Sequence, residues 1–438
     1  MPDRATGLRR SLGLVQVTAG GVGIIIGAGI YVLVGTAAAE AGAAVWLAFL
    51  LAALLSVMTA LSYMELVSMF PTAAGEYEYA RHAFPDWVAF TAGWSMTTTL
   101  IVATAAVALG FAQYLGYFAG VDVRIGALIL LAVVSAIAVL GIEQSARVAL
   151  VLSAVQVIGL VIVIAIGIRD VGNVDLFEQA SPSGILGGAA LVFFAFIGFD
   201  EVITLAEETE DPTHTVPRAL LLALGISTLL YVAVAISAVS VLGVQGLASS
   251  SHPLADVARV AFGDRSGQVI AGLALLTTMN TTLLALTASS RLLYGMAQRG
   301  SLPRFLAHID PGRRTPTRAI LVSVCLSSAF VALRDLRLTV SVTDFAMYVV
   351  FFIINATVIV LRYTEPGRTR AFRIPGNLGR LPLAPLLGMG TVLLMVSRLE
   401  SRAIGLGLLL VVLGLALLVG LRLAGIAAAP HSRSADDQ

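Results

Sequence analysis

The chain has 438 residues, of which 58% are hydrophobic and only 12% are charged, and its formal net charge is +1. Soluble globular domains carry about 25% charged residues, so this composition excludes a soluble protein and indicates that the lipid bilayer is the chain's solvent. A net charge so close to zero also argues against a nucleic-acid partner.

Twelve apolar segments follow one another along the chain, and we predict that each is a membrane-spanning helix of an all-α polytopic membrane protein. A helix needs about 20 apolar residues to cross the hydrocarbon core. The ninth and eleventh segments are shorter, and several others are so long that they must tilt, break or project from the bilayer. The predicted spans are 11–39, 43–70, 87–117, 125–140, 146–168, 184–205, 219–242, 268–298, 319–333, 342–361, 382–396 and 404–423.

The arginines predict the orientation, because all 27 basic residues are arginine. With a cytoplasmic N-terminus, 19 arginines fall on the cytoplasmic side, including six at 291–318 and five at 362–380, and 8 fall outside. Cytoplasmic loops of membrane proteins carry an excess of basic residues. We therefore predict a multi-pass protein of the plasma (cell inner) membrane with both termini in the cytoplasm.

Two predicted spans carry a helix-weakening interruption near their middle. The first span reads G-V-G-I-I-I-G-A-G-I-Y at 21–31, and the sixth reads F-F-A-F-I-G-F-D-E at 193–201. Glycine costs a helix interior about 1 kcal/mol relative to alanine, so both segments favour a break. Interrupted spans at corresponding places in two halves are typical of a transporter binding site.

The interruptions also suggest how the chain is divided. Spans one to five (11–168) and spans six to ten (183–363) each begin with an interrupted segment. Five spans per unit would place the second unit upside down relative to the first, as in the inverted repeats of secondary transporters. The remaining residues predict two accessory spans at 380–424 and cytoplasmic tails at 1–10 and 425–438.

Four short motifs lie in order along the first ten spans. They are G-A-G-I-Y at 27–31, F-A-F-I-G-F-D at 194–200, A-E-E with later D-P and P at 206–217, and S-S-R-L-L-Y-G-M-A-Q-R-G-S-L-P at 289–303. Together they resemble the motifs of the amino acid–polyamine–organocation (APC) superfamily. The resemblance implies an amino acid permease with a five-plus-five inverted-repeat (LeuT-like) core, discontinuous first and sixth spans, and two extra helices.

The first interruption offers backbone groups that suit a zwitterion. A helix that stops near Gly27 and restarts near Ile30 exposes N–H groups and the positive end of a helix dipole, which bind a carboxylate without a cationic side chain. The alternative is that the glycines only permit close helix packing. The resemblance implies a substrate site of amides at Gly27, Ala28 and Gly29 for the carboxylate and carbonyls near Ile25, Phe194 and Ile197 for the ammonium group.

Asp200 and Glu201 are candidates for coupling or gating. An acidic residue at mid-bilayer costs about 2.5–3.5 kcal/mol on insertion scales, so two in sequence need partners or water. They would carry a proton or form a gate, or they would simply face a solvated cytoplasmic vestibule. Gln156 is a departure from the family pattern, because it falls where proton-coupled relatives often carry a lysine, and glutamine does not titrate.

That departure leaves three hypotheses for coupling. Asp200 or Glu201 carries a proton, the protein exchanges amino acids, or Na⁺ binds between carbonyls of the first break and oxygens of the eighth span. For the last hypothesis, Asn280, Thr281 and Thr282 would supply the oxygens. The alternative for these three residues is hydrogen bonding between helices.

We predict neither an enzyme nor a channel. The five histidines lie in predicted loops or tails, and the sequence has no H-E-x-x-H, cysteine-cluster or Walker motif, so no cofactor or metal site is predicted. A channel would need a repeated filter or rings of charge, and the sequence shows neither. The main hypothesis is proton-coupled uptake of amino acids by alternating access. No acid or cation is evident for a substrate side chain, which favours neutral or small apolar substrates.

Overall fold

A computed structural model describes residues 12–70, 75–141 and 146–424. These ranges hold fifteen α-helices, four 3-10 helices and a two-residue hairpin of β1 (Asn377–Leu378) and β2 (Leu381–Pro382). The α-helices are α1 (Leu14–Ile25), α2 (Gly29–Ala41), α3 (Val45–Met69), α4 (Glu76–Ala83), α5 (Asp86–Leu115), α6 (Val123–Leu140), α7 (Ala146–Gly167), α8 (Pro182–Val192), α9 (Pro212–Ser249), α10 (Pro253–Phe262), α11 (Asp264–Gln298), α12 (Thr317–Val331), α13 (Leu336–Thr364), α14 (Leu383–Val396) and α15 (Ser401–Leu423). The 3-10 helices are Gly42–Ala44, Phe193–Phe196, Phe199–Glu208 and Arg304–Ala307.

Each of the twelve predicted apolar segments is largely helical within the described part of the chain. Eight helical stretches are long and apolar enough to cross a membrane, and four further apolar helices are shorter. The protein is therefore an all-α polytopic membrane protein. Several helices run past the predicted ends, and α9 includes Gly243, whose φ of 67° interrupts helical geometry near the end of the predicted seventh span. The tails predicted at 1–10 and 425–438 lie outside the described residues.

The bundle is organised around α5 and α13. In the most apolar window of each helix, 94% of the residues of α5 and 72% of those of α13 are buried by protein, against 22% in α15 and 28% in α6. The outer helices therefore present their apolar side chains to lipid. Inside α5, the hydroxyls of Thr97, Thr99 and Thr104 donate to the carbonyls four residues earlier at 2.7–2.9 Å, so these polar groups are satisfied within their own helix.

A buried ion pair joins α3 to the end of α13. Arg362 donates two hydrogen bonds to Glu65, at 2.6 and 2.5 Å, and the side chains are 3% and 0% exposed. Arg370 approaches the same carboxylate at 3.1 Å, and the backbone N–H of Ile374 donates to it at 3.0 Å. One carboxylate thus fixes two helices and the loop that follows α13.

Glu65→Gln should destabilise the fold, because it leaves two largely buried guanidinium groups without their counter-ion. Breaking a buried pair by removing one partner costs about 3–5 kcal/mol. Glu365→Gln is the matched control, since Glu365 pairs with Arg368 at 2.9 Å on side chains that are 33% and 39% exposed, and such surface pairs contribute about 0–1 kcal/mol. Unfolding of both variants by SDS in mixed micelles measures the free energy of unfolding of each. Equal losses of stability in the two variants would contradict a structural role for Glu65.

Candidate functional site

The first interruption lies between α1 and α2, at residues 26–28. The Ile26 N–H still donates to the Val22 carbonyl at 2.8 Å, but the Gly27 N–H turns back to the Ile25 carbonyl, also at 2.8 Å. From Gly29 onward the chain is helical again. The N–H groups in the first turn of α2 have no acceptor within their own helix, as at any helix N-terminus. The glycines therefore predicted the position of this break closely.

The second interruption follows α8. The chain tightens into the 3-10 helix Phe193–Phe196, becomes non-helical at Ile197 and Gly198, and continues as the 3-10 helix Phe199–Glu208. Gly198 has a φ of 112°, a conformation that side chains rarely allow. A Cβ atom there would also lie 3.3 Å from Ile24 of α1. The second break therefore depends on this glycine both for its conformation and for its approach to α1.

The two interruptions touch each other. A Cβ atom added to Gly29 would lie 2.5 Å from Ala195 Cα and 3.1 Å from its backbone nitrogen, so the start of α2 rests directly on the backbone of the second break. Tyr231 of α9 joins them from the side, with its hydroxyl 2.8 Å from the Ile25 carbonyl oxygen and 2.9 Å from that of Ala195. Two carbonyls freed by the breaks thus share one hydroxyl.

The predicted backbone groups lie in or next to the two breaks. Ile25, Ala28 and Gly29 are buried, whereas Gly27 is partly exposed. The Ile25 carbonyl already accepts from Gly27 and Tyr231. In the second break, the carbonyl of Phe194 accepts from the Ile197 N–H at 3.2 Å, and the Phe194 side chain is 9% exposed. The residues that join the two breaks directly are Ile25, Gly29, Ala195 and Tyr231.

The residues proposed for Na⁺ divide into two groups. Thr281 lies against the first break, since a Cβ on Gly27 would be 3.3 Å from its hydroxyl oxygen. Thr282 is fully buried, and its hydroxyl donates to the Thr278 carbonyl at 2.7 Å. Thr281 makes the same kind of bond to the Thr277 carbonyl at 3.0 Å, and Asn280 is 9% exposed. Thr281 is therefore the one of these three whose position against the first break is established.

Gln156 of α7 lies beside the start of α2. Its backbone carbonyl accepts a hydrogen bond from the Tyr31 hydroxyl at 2.9 Å. The residue is 2% exposed, and its side-chain Oε1 has no hydrogen-bond partner among the described residues. A buried amide oxygen without a donor is costly, so this atom is available to a donor that enters the site.

Acidic residues cluster below the second break. Asp200 is 5% exposed, and its Oδ1 accepts from the Gly198 N–H at 3.2 Å. Glu76 of α4 is 8% exposed and accepts from the Tyr63 hydroxyl at 3.1 Å. Both Glu76 and Glu201 act electrostatically on Asp200. Burial raises the pKa of the Glu76 carboxyl above its usual value, which favours its protonated form.

Two of the buried acids, Glu76 and Asp344, were not predicted as site residues from the sequence. Glu76 follows the second predicted span, but Glu76, Tyr79 and Ala80 form the buried face of α4, and this three-to-four-residue spacing was visible in the sequence. Asp344 lies in the tenth predicted span and is 0% exposed, with neither carboxyl oxygen hydrogen bonded among the described residues. An intramembrane acid is a functional candidate by default, so Asp344 is a candidate that was not singled out from the sequence.

A bundle of apolar helices in which two interrupted helices meet at the centre is typical of secondary transporters. Residues 12–425 match the sequence model of the amino acid permease family. The chain belongs to this family, in agreement with the resemblance drawn from its motifs.

Individual relatives cover nearly the whole chain. An uncharacterized transporter of Mycobacterium tuberculosis is 32% identical over 396 residues, which is 90% of this chain and 89% of the relative. The branched-chain amino acid permease BcaP of Bacillus subtilis is 29% identical over 415 residues, covering 90% and 88%. Cationic amino acid transporter 4 (vacuolar) of Arabidopsis thaliana is 30% identical over 391 residues, covering 82% and 64%.

Gly29→Ala should sharply reduce transport, because its methyl group would collide with the backbone of Ala195 and force the two breaks apart. Overpacking of this kind costs about 1–3 kcal/mol, so we expect initial uptake rates to fall about tenfold or more in proteoliposomes. Gly272→Ala in α11 is the control, since a Cβ there meets no atom within 4 Å. Gly27→Ala, which only approaches Thr281, should be milder, and equal activity of the Gly29 and Gly272 variants would contradict the proposed junction.

Proposed function

We propose that the protein is a secondary transporter that moves an amino acid across the plasma membrane by alternating access. The observation that carries the proposal is the contact of the two breaks at Gly29 and Ala195, in a chain of the amino acid permease family. Breaks of this kind place free backbone dipoles at a common point. An integral membrane enzyme or a channel is the alternative of a different class, and this arrangement does not require either.

The proposed architecture has twelve spans, with inverted repeats at 11–168 and 183–363 and accessory spans at 380–424. It is supported by the position of the two breaks, each in the first span of its unit. The arginine distribution supports cytoplasmic termini. At the start of α1, Leu12 exchanges backbone hydrogen bonds with Glu208 and Glu210 at 3.0 and 3.2 Å, which ties together the ends of the two broken spans on one side of the membrane.

An ion-pair network lies at the C-terminal end of α2, away from the first break. Arg337 at the start of α13 approaches Glu40 and Glu400 at 2.6 Å each. In an alternating-access cycle, the outer end of α2 would open by releasing Arg337. The partial exposure of all three side chains, 30–38%, is consistent with contacts that form and break at low cost.

For substrate binding, we propose that the first-turn amides of the restarted helix, at Gly27, Ala28 and Gly29, hold the carboxylate. The ammonium group would take carbonyls at Ile25 and in the second break, at Phe194 and Ile197. Tyr231 would free the Ile25 carbonyl for the ammonium group, because its hydroxyl can donate its hydrogen bond to the Ala195 carbonyl instead. Both oxygens lie within 2.9 Å of the hydroxyl, so no side-chain movement is required.

We propose neutral, apolar amino acids as the substrate class. Phe194 and Ile197 give the second break apolar side chains, and the relative named a branched-chain amino acid permease supports this class. The relative named a cationic amino acid transporter favours a second candidate. For a cationic substrate, the buried and unpaired carboxyl of Asp344 would be the group to test.

For coupling, we propose a proton that is shared by Asp200, Glu201 and Glu76. Three acidic groups that interact in a buried site cannot all be ionised at modest cost. Asp344, whose carboxyl has no hydrogen-bond partner within the described residues, is a second group that would hold a proton. Exchange and Na⁺ symport are the alternatives, and Thr281 beside Gly27 is the residue that would serve a Na⁺ site. Gln156, which does not titrate, would act through its unpaired amide oxygen instead.

Counterflow in proteoliposomes tests the proposed function. Vesicles containing the purified protein are loaded with one unlabelled amino acid at a time, and entry of the labelled amino acid is followed with and without Na⁺. We expect trans-acceleration by leucine, isoleucine or valine, since a carrier returns faster when loaded. Lack of acceleration by any of the twenty amino acids would overturn the assignment, and acceleration by arginine or lysine alone would select the cationic class.

The acidic cluster predicts a pH dependence of uptake. The shared proton is bound more fully as the pH falls. Burial raises the pKa of Glu76, which moves this protonation to higher pH, so uptake by the unmodified protein should rise toward acidic pH. Asp200→Asn and Glu201→Gln should flatten this profile. Glu78→Gln on the same helix is the control, because Glu78 pairs with Arg81 at 3.0 Å and is partly exposed. Unchanged profiles in both cluster variants would favour Na⁺ symport or exchange.

A further inference from the structure

An arginine-rich cavity lies outside the transport site, between the end of α13 and the start of α14. Its volume is about 340 Å³, within the range of small-ligand pockets. The hairpin β1–β2 closes the loop beside it. Apart from Pro366, its lining consists of five arginines, namely Arg362, Arg368, Arg370, Arg373 and Arg380.

Two of these arginines are held by the protein itself. Arg362 and Arg370 share the carboxylate of Glu65, and their side chains are only 3% and 7% exposed. Arg362 nevertheless has a buried Nη1 without a hydrogen-bond partner among the described residues. Because a buried guanidinium N–H group rarely stays unpaired, this atom points to an acceptor that is supplied from outside the chain.

The other arginines leave an excess of positive charge. Arg368 pairs with Glu365 at 2.9 Å, whereas no ion pair or side-chain hydrogen bond links Arg373 or Arg380 to another residue in the described ranges. Five arginines against the carboxylates of Glu65 and Glu365 leave three net positive charges. Such a concentration of like charge in one cavity is unfavourable unless an anion neutralises it.

The location of the cavity indicates where the anion comes from. In the proposed twelve-span architecture, the chain leaves the membrane at the end of α13 and re-enters it at the start of α14, which would place the cavity at a membrane surface. Tyr363 follows Arg362 in the sequence, and Leu386 and Leu387 lie near the start of α14. Their side chains are 52%, 44% and 57% exposed, as expected for side chains that contact lipid. A ligand with a phosphate group and acyl chains would match both the arginines and this apolar border.

We propose that this cavity, lined by Arg362, Arg373 and Arg380 among others, binds the phosphate group of an anionic membrane phospholipid. Guanidinium groups form paired hydrogen bonds with phosphate oxygens. Basic pockets at the ends of membrane helices attract anionic head groups. The phosphate would satisfy the free Nη1 of Arg362 and neutralise the two unpaired arginines, so it would join α13 to α14 at the membrane surface.

The test uses the full-length protein, delipidated in neutral detergent, and the variant Arg373→Gln/Arg380→Gln. Binding of phosphatidylglycerol is measured by native mass spectrometry and by the shift in melting temperature. We expect about thirtyfold weaker binding by the variant, which corresponds to about 1 kcal/mol for each arginine near an anionic surface. Glu65, Arg362 and Arg370 remain intact in this variant, so its fold should be retained.

The control variant Arg304→Gln/Arg313→Gln removes two charges from another exposed loop. It should bind phosphatidylglycerol within about twofold of the unmodified protein, a difference below 0.5 kcal/mol. Equal weakening of both double variants, or equal binding of phosphatidylcholine, would overturn the site. In a last experiment, inorganic phosphate at millimolar concentration replaces the lipid, and the shift in melting temperature is measured again. If it produced the same arginine-dependent shift, it would overturn the lipid as the source and identify a soluble phosphate. None of these readouts depends on transport activity.

Discussion

Backbone N–H and C=O groups inside a bilayer must find partners within the protein, because lipid supplies none. This constraint governs the two breaks, after α1 and after α8, where helical hydrogen bonding is interrupted. Here the freed groups meet each other. Gly29 has no Cβ and rests on the backbone of Ala195, and the Tyr231 hydroxyl lies within 2.9 Å of the carbonyls of Ile25 and Ala195. The Ile25 and Ala195 carbonyls are thus hydrogen bonded within the protein, whereas the N–H groups in the first turn of α2 have no acceptor within their own helix.

The buried carboxyl groups of Glu65, Asp200 and Asp344 have three different kinds of surroundings. Glu65 is fully compensated by arginines on the end of α13 and on the loop that follows, which makes it a structural group. Asp200 has a backbone N–H donor but also two acidic neighbours. Asp344 has no hydrogen-bond partner in the described part of the chain. Since an uncompensated intramembrane acid is costly, the second and third groups are where protonation or a cationic partner would relieve the largest cost.

The arginines have two roles that their sequence positions do not distinguish. In the sequence they form one cytoplasmic excess, which the positive-inside tendency alone would explain. In the structure, Arg362 and Arg370 contact Glu65, while Arg373 and Arg380 line a cavity and have no ion pair within the described residues. The same loop therefore contributes Arg370 to the buried ion pair with Glu65 and two further arginines to the cavity lining.

The sequence by itself determined the helices and the first break, because both depend on local chemistry. A segment such as α7 must be helical to cross lipid, and it was predicted at 146–168 against the observed Ala146–Gly167. The run of glycines located the first interruption to within two residues. Only the tertiary structure decided which groups meet. Glu76 and Asp200 are 124 positions apart, and Tyr231 is about 200 positions from Ile25. Their contacts arise from how α4, α9 and the two broken spans pack, and no local pattern in the sequence encodes that packing.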